Sequence, residues 1–332
     1  MKILVTGGAG YIGSFMVRHL AESGHDVVIV DNLSQGHKEA VKDFRLEQID
    51  LATQKDQLNQ LFDAEKFDGV IHMASFIQMG ESFANPVKYY NNNLIGAINL
   101  FEVMVNHKVS NFILSSSAGV YGNPERVPIV EEDRKDPLNP YGETKYMIER
   151  MLATLDKAYG FKFAAIRYFN AAGAALDGSI GEDHPNESHL IPLAIKATLK
   201  SQEFTIFGND YQTPDGTCIR DYVHVLDLVK AHTKALEYLF NGGKSDFFNA
   251  GIGQGYSNKQ VVDMVNQVTG LNLQVKFGPR RAGDADSLYA ANDKIKSVLG
   301  WQPQYGLKEI VESAFQWHST HPSGYSDHNL IP

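Results

Sequence analysis

Tyr141 and Lys145 stand four residues apart in the segment Tyr-Gly-Glu-Thr-Lys, directly after Pro140. Proline is pre-set for the first turn of a helix. On a helix, residues i and i+4 share one face, so the ammonium can lie beside the phenol. A phenol has an unperturbed pKa of about 10, too high for a useful base at neutral pH. A neighbouring positive charge favours the phenolate, and the tyrosine then becomes a proton acceptor. The chain contains 15 Tyr, so about one such spacing is expected by chance. A helix start with a solvated Lys explains the isolated pair at least as well as chemistry does. The elements around it decide between the two.

The first of these elements is N-terminal. Lys2 to Thr6 is a short apolar run, followed at once by Gly7-Gly-Ala-Gly-Tyr-Ile-Gly13, a helical pattern ending at Gly24, and a second apolar run from Val27 to Val30 that leads into Asp31. Strand, glycine loop, helix, strand and acid in this order form the dinucleotide-binding βαβ unit. Gly7 permits the tight turn, Gly10 lets the backbone approach a pyrophosphate, and Gly13 allows close helix–strand packing. The helix N-terminus offers free N–H groups to the phosphates. Asp31 is placed to accept hydrogen bonds from the adenosine ribose, and its charge would repel a 2′-phosphate, which favours NAD over NADP.

Further strands are read at Leu46–Ile49, Asp68–Met73, Asn111–Ser115 and Phe163–Tyr168. One continuous helix is read over 86–107, a second from Tyr141 to about Tyr159, and later helices near 189–200, 223–240 and 257–269. This alternation predicts an α/β fold, a doubly wound parallel (Rossmann) sheet with a smaller mixed α/β substrate domain. Asp31, Asp50, Ala74, Ser117 and Phe169-Asn170 all fall at the carboxyl ends of strands, where such sheets bind ligands. The expected domains are 1–170 for the dinucleotide, with a return around 220–250, and 171–332 mainly for substrate. The last dozen residues are polar and expected to be loosely held.

The 332 residues carry a net charge of −9, which argues against general nucleic-acid affinity. The single Cys, Cys218, excludes an intrachain disulfide framework and suits a reducing compartment. The chain enters a strand directly, which predicts no signal peptide, and no apolar run approaches the length of a membrane span. A cytoplasmic enzyme is the expectation. His72, His184 and His224 show no Cys or carboxylate partner at metal-ligand spacing and read as structural or loop histidines, so no metal is expected.

Taken together, these motifs resemble the UDP-glucose (UDP-galactose) 4-epimerases of the extended short-chain dehydrogenase/reductase family. The resemblance runs nearly end to end. It is carried by Gly7–Ser14, Asp31-Asn-Leu-Ser34, His72-Met-Ala74, Gly80-Glu-Ser82, Ser115-Ser-Ser-Ala-Gly-Val-Tyr-Gly122, Tyr141-x-x-x-Lys145, Arg167-Tyr-Phe-Asn170, Ile206-Phe-Gly-Asn-Asp-Tyr211, Asp215-Gly-Thr217 and Arg220-Asp-Tyr-Val-His-Val225. It implies that Tyr141 takes the proton from the hydroxyl on sugar carbon 4 while tightly held NAD takes the hydride. Ser117 would bond the same oxygen, and Lys145 would hold the nicotinamide ribose. The resemblance further implies cofactor contacts from Tyr11, Ile12, Asn32, Leu33, Ser34, Gly36, Leu51, Met73, Ser75, Asn92, Ser115 and Phe169. It assigns the UDP-sugar to Ser117, Asn170, His189, Leu190, Thr205, Ile206, Phe207, Arg220, Arg281, Asp284 and Leu288. Homodimers through the 86–107 and 141–159 helices are implied as well.

Related 4,6-dehydratases place Asp-Glu directly after the Ser, where this chain has Ala118 and Gly119. Neither residue can transfer a proton, so elimination of water is not expected. Three positions depart from the family pattern. Ile77 stands where some members have a Lys reaching the cofactor, and His189 where Asn is frequent. Leu288 replaces a bulky Tyr of members restricted to UDP-glucose and UDP-galactose, which implies room for N-acetylated sugars. The alternatives are another UDP-sugar 4-epimerase, for N-acetylhexosamines or uronates, or a catalytically silent NAD-binding regulator on the same fold.

Overall fold

The computed structural model describes residues 1–281 and 284–325. The expectation for the last dozen residues falls mostly on 326–332, outside the described residues, as does the middle of the Arg280–Asp284 cluster. The chain forms two compact units. Unit 1 comprises Met1–Gly122, Arg134–Arg167 and Val229–Phe248, and unit 2 comprises Asn123–Asp133, Tyr168–Leu228 and Asn249–Pro332.

Unit 1 is built in chain order from β1 (Lys2–Thr6), α1 (Tyr11–Glu22), β2 (Asp26–Asp31), β3 (Arg45–Gln48), α2 (Lys55–Ala64), β4 (Gly69–His72), α3 (Met79–Ala84), α4 (Pro86–Tyr89), α5 (Gly96–Asn106), β5 (Asn111–Ser117), α6 (Pro140–Tyr159) and β6 (Lys162–Tyr168). A later strand, Asp246–Ala250, completes a seven-stranded sheet in which it lies beside β6, followed by β5, β4, β1, β2 and β3. β1 pairs in parallel with β2 and β4, β2 with β3, and β4 with β5. The chain runs outward from β1 through β2 to β3, then returns to β4 on the other side. The β1–β4 boundary is therefore the switch point at which such sheets open a ligand crevice. The strands read as near-continuous apolar runs because both faces are covered. Leu4, Val28, Val70, Phe112 and Leu114 are buried beneath Leu100, Phe101 and Phe161.

The continuous helix expected over 86–107 is interrupted. After α4 the backbone widens into a π turn over Tyr90–Ile95 before α5 begins. The cause is Asn93, whose buried carboxamide accepts from Phe76 N at 2.9 Å and donates to Phe76 O at 3.1 Å and Thr144 Oγ1 at 3.0 Å. A wide turn re-aims one side chain inward without ending the helix, which is why such turns recur at functional sites.

Unit 2 adds β7 (Asn170–Ala172), α7 (Leu190–Leu199), β8 (Phe204–Phe207), β9 (Ile219–Arg220) and β10 (Tyr222–His224). After them come α8 (Val225–Phe240), which ends in unit 1, and β11, the Asp246–Ala250 strand of the large sheet. The remaining elements are β12 (Tyr256–Ser257), α9 (Asn258–Thr269), β13 (Val275–Gly278), β14 (Ser287–Leu288), α10 (Asp293–Leu299) and α11 (Leu307–Thr320). Its small sheets pair β10 with β7, β13 with β8, and β9 with both β12 and β14. A second core forms where Ile195 on α7, Val261 and Val265 on α9 and Ile310 and Val311 on α11 pack together. A Ser257–Gln260 capping box starts α9. Residues 123–133 join unit 2 because Ile129 pairs with the β14 end. Ile129 N donates to Tyr289 O at 2.9 Å, and Ala291 N donates to Ile129 O at 2.8 Å. No helix among the described residues is long and apolar enough to cross a membrane.

Candidate active site

The sequence folds Tyr141 into place through its helix start. Asn139 caps α6, its side chain accepting from Gly142 N at 2.8 Å, and Pro140 occupies the first helical position. Tyr141 and Lys145 then share the buried face of α6, at 7% and 2% exposure. Ser117 ends β5 in extended backbone, and its Oγ accepts from Gly119 N at 3.0 Å. The helix start meets this turn through backbone alone, because a Cβ on Gly142 would sit 2.5 Å from Gly119 O. A Cβ on Gly119 would stand 3.3 Å from Ser117 Oγ and 3.8 Å from Tyr141 Cε1. Ser117 and Tyr141 thus flank Gly119. The absence of side chains at 119 and 142 lets the Ser117 turn and the start of α6 pack backbone to backbone.

Lys145 Nζ donates to Ser115 O at 2.9 Å and lies 5.9 Å from the centre of the Tyr141 ring. Burial pulls the ammonium pKa down to about 7, opposed by the charge of Glu149 one turn further along α6. Glu149 is itself held by Arg167 through Nε at 2.8 Å and Nη2 at 2.7 Å, and by Ser116 Oγ at 2.7 Å. Arg167 Nη1 also donates to Tyr121 Oη at 2.8 Å. This buried network ties α6 to β5 and β6 directly behind the Ser–Tyr–Lys cluster.

Many of the residues predicted to hold the cofactor line one cleft at the β1–β4 switch point. Gly7, Gly10, Asp31, Asn32, Ser34, Gly36, Leu51, Met73, Ala74, Ser75 and Asn92 all border it. Sequence reading missed Val30, Gln35, Ile49, Ala52 and Phe76 on the same walls. They neighbour the motif residues without being chemically distinctive. Gly7 has φ +73, and a Cβ there would fall 2.4 Å from Ala74 N. One on Gly13 would fall 2.0 Å from Gly7 O. The loop therefore forms a bare-backbone cradle of the kind a pyrophosphate occupies. Asp31 accepts from Ala9 N at 3.0 Å and Leu33 N at 2.8 Å. Burial raises its pKa, and those two N–H groups pull it back. The carboxylate thus keeps remaining lone pairs for ribose hydroxyls. Asn32 donates to Asp50 Oδ2 at 2.8 Å, so these two predicted residues hold each other. These features fit NAD. Ser115 meets Lys145 through its carbonyl. Ile77 is 38% exposed, so its departure leaves a surface apolar group where some relatives have a Lys.

In unit 2 the predicted diphosphate and uridine residues converge. The Arg281 guanidinium lies 4.2 Å above the Phe207 ring, and Arg220 Nη2 stands 3.3 Å from Asp284 Oδ1. Leu288 pairs across β9–β14 with Arg220, and Asn170 Nδ2 donates to Asp221 O at 3.0 Å. Thr205, Ile206 and Phe207 form one strand, β8. Arg280 takes no part, being paired with Asp210 at 2.7 Å and laid over Tyr211. Phe169 lies between β6 and β7. Asp221 is fully buried with its pKa raised to about 7 by burial, against backbone N–H donors including Ile252 and Ala290. Its place is structural.

His189 and Leu190 open α7, but the His189 imidazole turns to Glu182, with Nδ1 2.6 Å from Oε1. Burial acts to lower the His189 pKa, but the charge of Glu182 overcomes it and raises the value to about 10. His184 Nε2 lies 3.3 Å from the same carboxylate oxygen, so its reading as a histidine without a carboxylate partner is corrected. His72 and His224 are core residues bonded to Thr6 at 2.7 Å and Ser313 at 3.1 Å.

Comparison with known proteins agrees with this geometry. A family model described as the NAD dependent epimerase/dehydratase family matches residues 3–251. A UDP-glucose 4-epimerase of Halalkalibacterium halodurans is 48% identical over 332 residues, covering 99% of both chains. A crystal structure of UDP-glucose 4-epimerase from Brucella ovis in complex with NAD superposes with TM-score 0.92 at 41% identity, covering 95% of this chain and 97% of that one. The UDP-Glc/GlcNAc 4-epimerase of Campylobacter jejuni gives 0.84 at 40%, covering 96% and 99%. A glycine cradle, a buried Ser–Tyr–Lys cluster and near full-length similarity lead to one assignment: the chain belongs to the NAD dependent epimerase/dehydratase family.

Proposed function

We propose that the protein interconverts UDP-glucose and UDP-galactose by inverting sugar carbon 4. The observation that carries this reading is the bare Gly119 between Ser117 Oγ and Tyr141, at which a side chain would project between the two. Ala118 and Gly119 offer no second acid or base, so the cluster is equipped for one proton transfer and not for elimination. Tyr141 removes the proton from the carbon-4 hydroxyl and later returns it. Ser117 Oγ hydrogen-bonds the same oxygen. Lys145, anchored on Ser115 O, orients the ribose beside Tyr141 and favours the phenolate whenever its amine is charged. NAD, when bound, supplies the reversible hydride acceptor, so the cycle has no net redox change. The 4-keto sugar turns between the two transfers and presents its other face.

In unit 2, Arg220 and Arg281 provide guanidinium groups for the diphosphate. Asp284 suits the uridine ribose and Phe207 the uracil face, with Asn170 and Leu190 toward the sugar. Leu288 leaves room at carbon 2, which favours acceptance of N-acetylated sugars. Dimerisation through the 86–107 segment and α6 is supported by Ile95 and Ile98, 41% and 47% exposed, beside an apolar groove between Leu94 and Met151. The buried free Cys218 suits a cytoplasmic setting.

The test is direct. Denatured protein should release close to one NAD per chain, and native protein should convert UDP-galactose to UDP-glucose without added oxidant. NAD release without any conversion would point to a silent cofactor-binding protein instead.

A further inference from the structure

Between β7 and α7 lies a long irregular segment that ends in Glu182-Asp-His184-Pro-Asn-Glu187-Ser-His189. One ligand atom from each of Glu182, His184, Glu187 and His189 lies within 4.8 Å of all the others. Three of the contacts are much shorter: His184 Nε2 and Glu182 Oε1 at 3.3 Å, His189 Nδ1 and Glu187 Oε1 at 3.2 Å, and His189 Nδ1 and Glu182 Oε1 at 2.6 Å. Two tetrahedral ligands at about 2.05 Å from a zinc ion stand about 3.3 Å apart, the spacing of the first two contacts.

The directions of these contacts are as informative as the distances. Glu182 Oε1, Glu187 Oε2 and His189 Nδ1 are buried and make no hydrogen bond of acceptable geometry. Glu182 is 3% exposed. Glu187 Oε1 accepts from Ser188 N at 2.7 Å and His189 N at 2.8 Å and also faces His189 Nδ1, while the second oxygen, Oε2, is buried without a hydrogen bond. Polar atoms buried this close without directed hydrogen bonds are costly unless a shared cation satisfies them. Once an ion displaces the imidazole protons, two carboxylates with two neutral imidazoles carry a charge of −2, which a divalent ion cancels. A mixed nitrogen–oxygen set favours zinc-like ions over calcium or magnesium, which take oxygen ligands.

We infer that Glu182, His184, Glu187 and His189 form a structural site for a divalent transition-metal ion, Zn²⁺ by chemistry. The frame around it is built. Trp317 Nε1 on α11 donates to Glu182 O at 3.2 Å, and Tyr325 Oη lies 3.1 Å from Gly181 N, so the backbone is anchored on both sides of the first ligand. The last ligand is the N-terminal flanking residue of α7. The ion therefore clips the long segment to the start of that helix, independently of the Ser117–Tyr141–Lys145 chemistry.

The experiment uses full-length protein stripped with chelator, then titrated with Zn²⁺ or Co²⁺ alone. The expected result is about one equivalent bound per chain, visible d–d bands of tetrahedral Co²⁺, and a melting temperature raised by roughly 4 °C at a hundredfold excess over the dissociation constant. The double variant His184→Asn, Glu187→Gln keeps the shape and the Glu187 backbone contacts, and should lose the bands and the shift. Stripped wild-type protein that binds under about a tenth of an equivalent and shows no shift overturns the inference and leaves an ion-paired cluster of protonated histidines. An unchanged Co²⁺ spectrum in the variant overturns the ligand assignment.

Discussion

A methyl group on Gly142 would lie 2.5 Å from the carbonyl oxygen of Gly119, so the Tyr141 helix and the Ser117 turn touch through bare backbone. The approach of the Tyr141 helix to the Ser117 turn is thus set by two residues that carry no functional group. Gly142→Ala must push the helix start away, at a cost of about 1–3 kcal/mol for overpacking. A displacement of order 1 Å can lower turnover about 10²-fold. We expect the variant to keep its NAD while kcat falls. Wild-type kcat in a folded Gly142→Ala protein would show that this contact does not set the geometry.

Tyr141→Phe removes the phenolic oxygen and little else. The ring fills the same buried space, and the cleft beside the glycine loop lies on other elements. Bound NAD should remain near one per chain, while conversion of UDP-galactose falls by about 10²–10⁴-fold, the usual worth of a positioned acid–base group. Near-normal turnover would remove Tyr141 from the proton transfer.

Burial lowers the Lys145 pKa from 10.5 to about 7. Between those two values the unfolded chain binds more protons than the folded one, so this group makes stability rise with pH from about 7 to 10.5 and adds no slope below 7. Lys145→Met abolishes that contribution. Urea titrations of both proteins at several pH values should therefore diverge, wild type gaining on the variant as pH rises. A constant difference across the range would mean that the buried amine stays charged throughout.

Glu149 and Arg167 form a buried pair at 2.7 Å, with Ser116 and Tyr121 completing its hydrogen bonds. Removing one partner strands the other charge, so Glu149→Leu should cost about 3–5 kcal/mol, whereas the Glu149→Leu, Arg167→Met double variant should recover much of that loss. Additive losses in a double-mutant cycle would contradict the coupling.

Unit 1 was legible because its chemistry and its fold share the same residues. The glycine loop, Asp31 and the strand-end Ser117 are at once turn formers and the proposed ligand groups. Unit 2 was harder to read. Its helices α10 and α11 carry no motif, and the sequence reading passed over both, although α11 supplies Ile310 and Val311 to the second core. The π turn around Asn93 was invisible because it goes with a tertiary contact to Phe76, outside the helix itself. The Glu182–His189 cluster was missed for a different reason. Its ligands alternate along an irregular segment, so neither a helical period nor a familiar metal spacing flags them. Nor does sequence say which way His189 turns.

Leu288 offers the sharpest test of substrate choice. Its backbone is fixed in β14, opposite Arg220, with Leu288 O accepting from Asp221 N at 3.0 Å. A change of side chain there acts by volume and not by moving the strand. Leucine is shorter than tyrosine, and space is what an N-acetyl group at sugar carbon 2 requires. Wild-type protein should therefore turn over UDP-N-acetylglucosamine as well as UDP-galactose. Leu288→Tyr should lower the first kcat/KM by about 10-fold or more, a steric exclusion, and leave the second within about threefold. Paired steady-state rates on the two sugars decide it. Undetectable wild-type turnover of the N-acetylated sugar beside brisk conversion of UDP-galactose would mean that another residue closes the pocket.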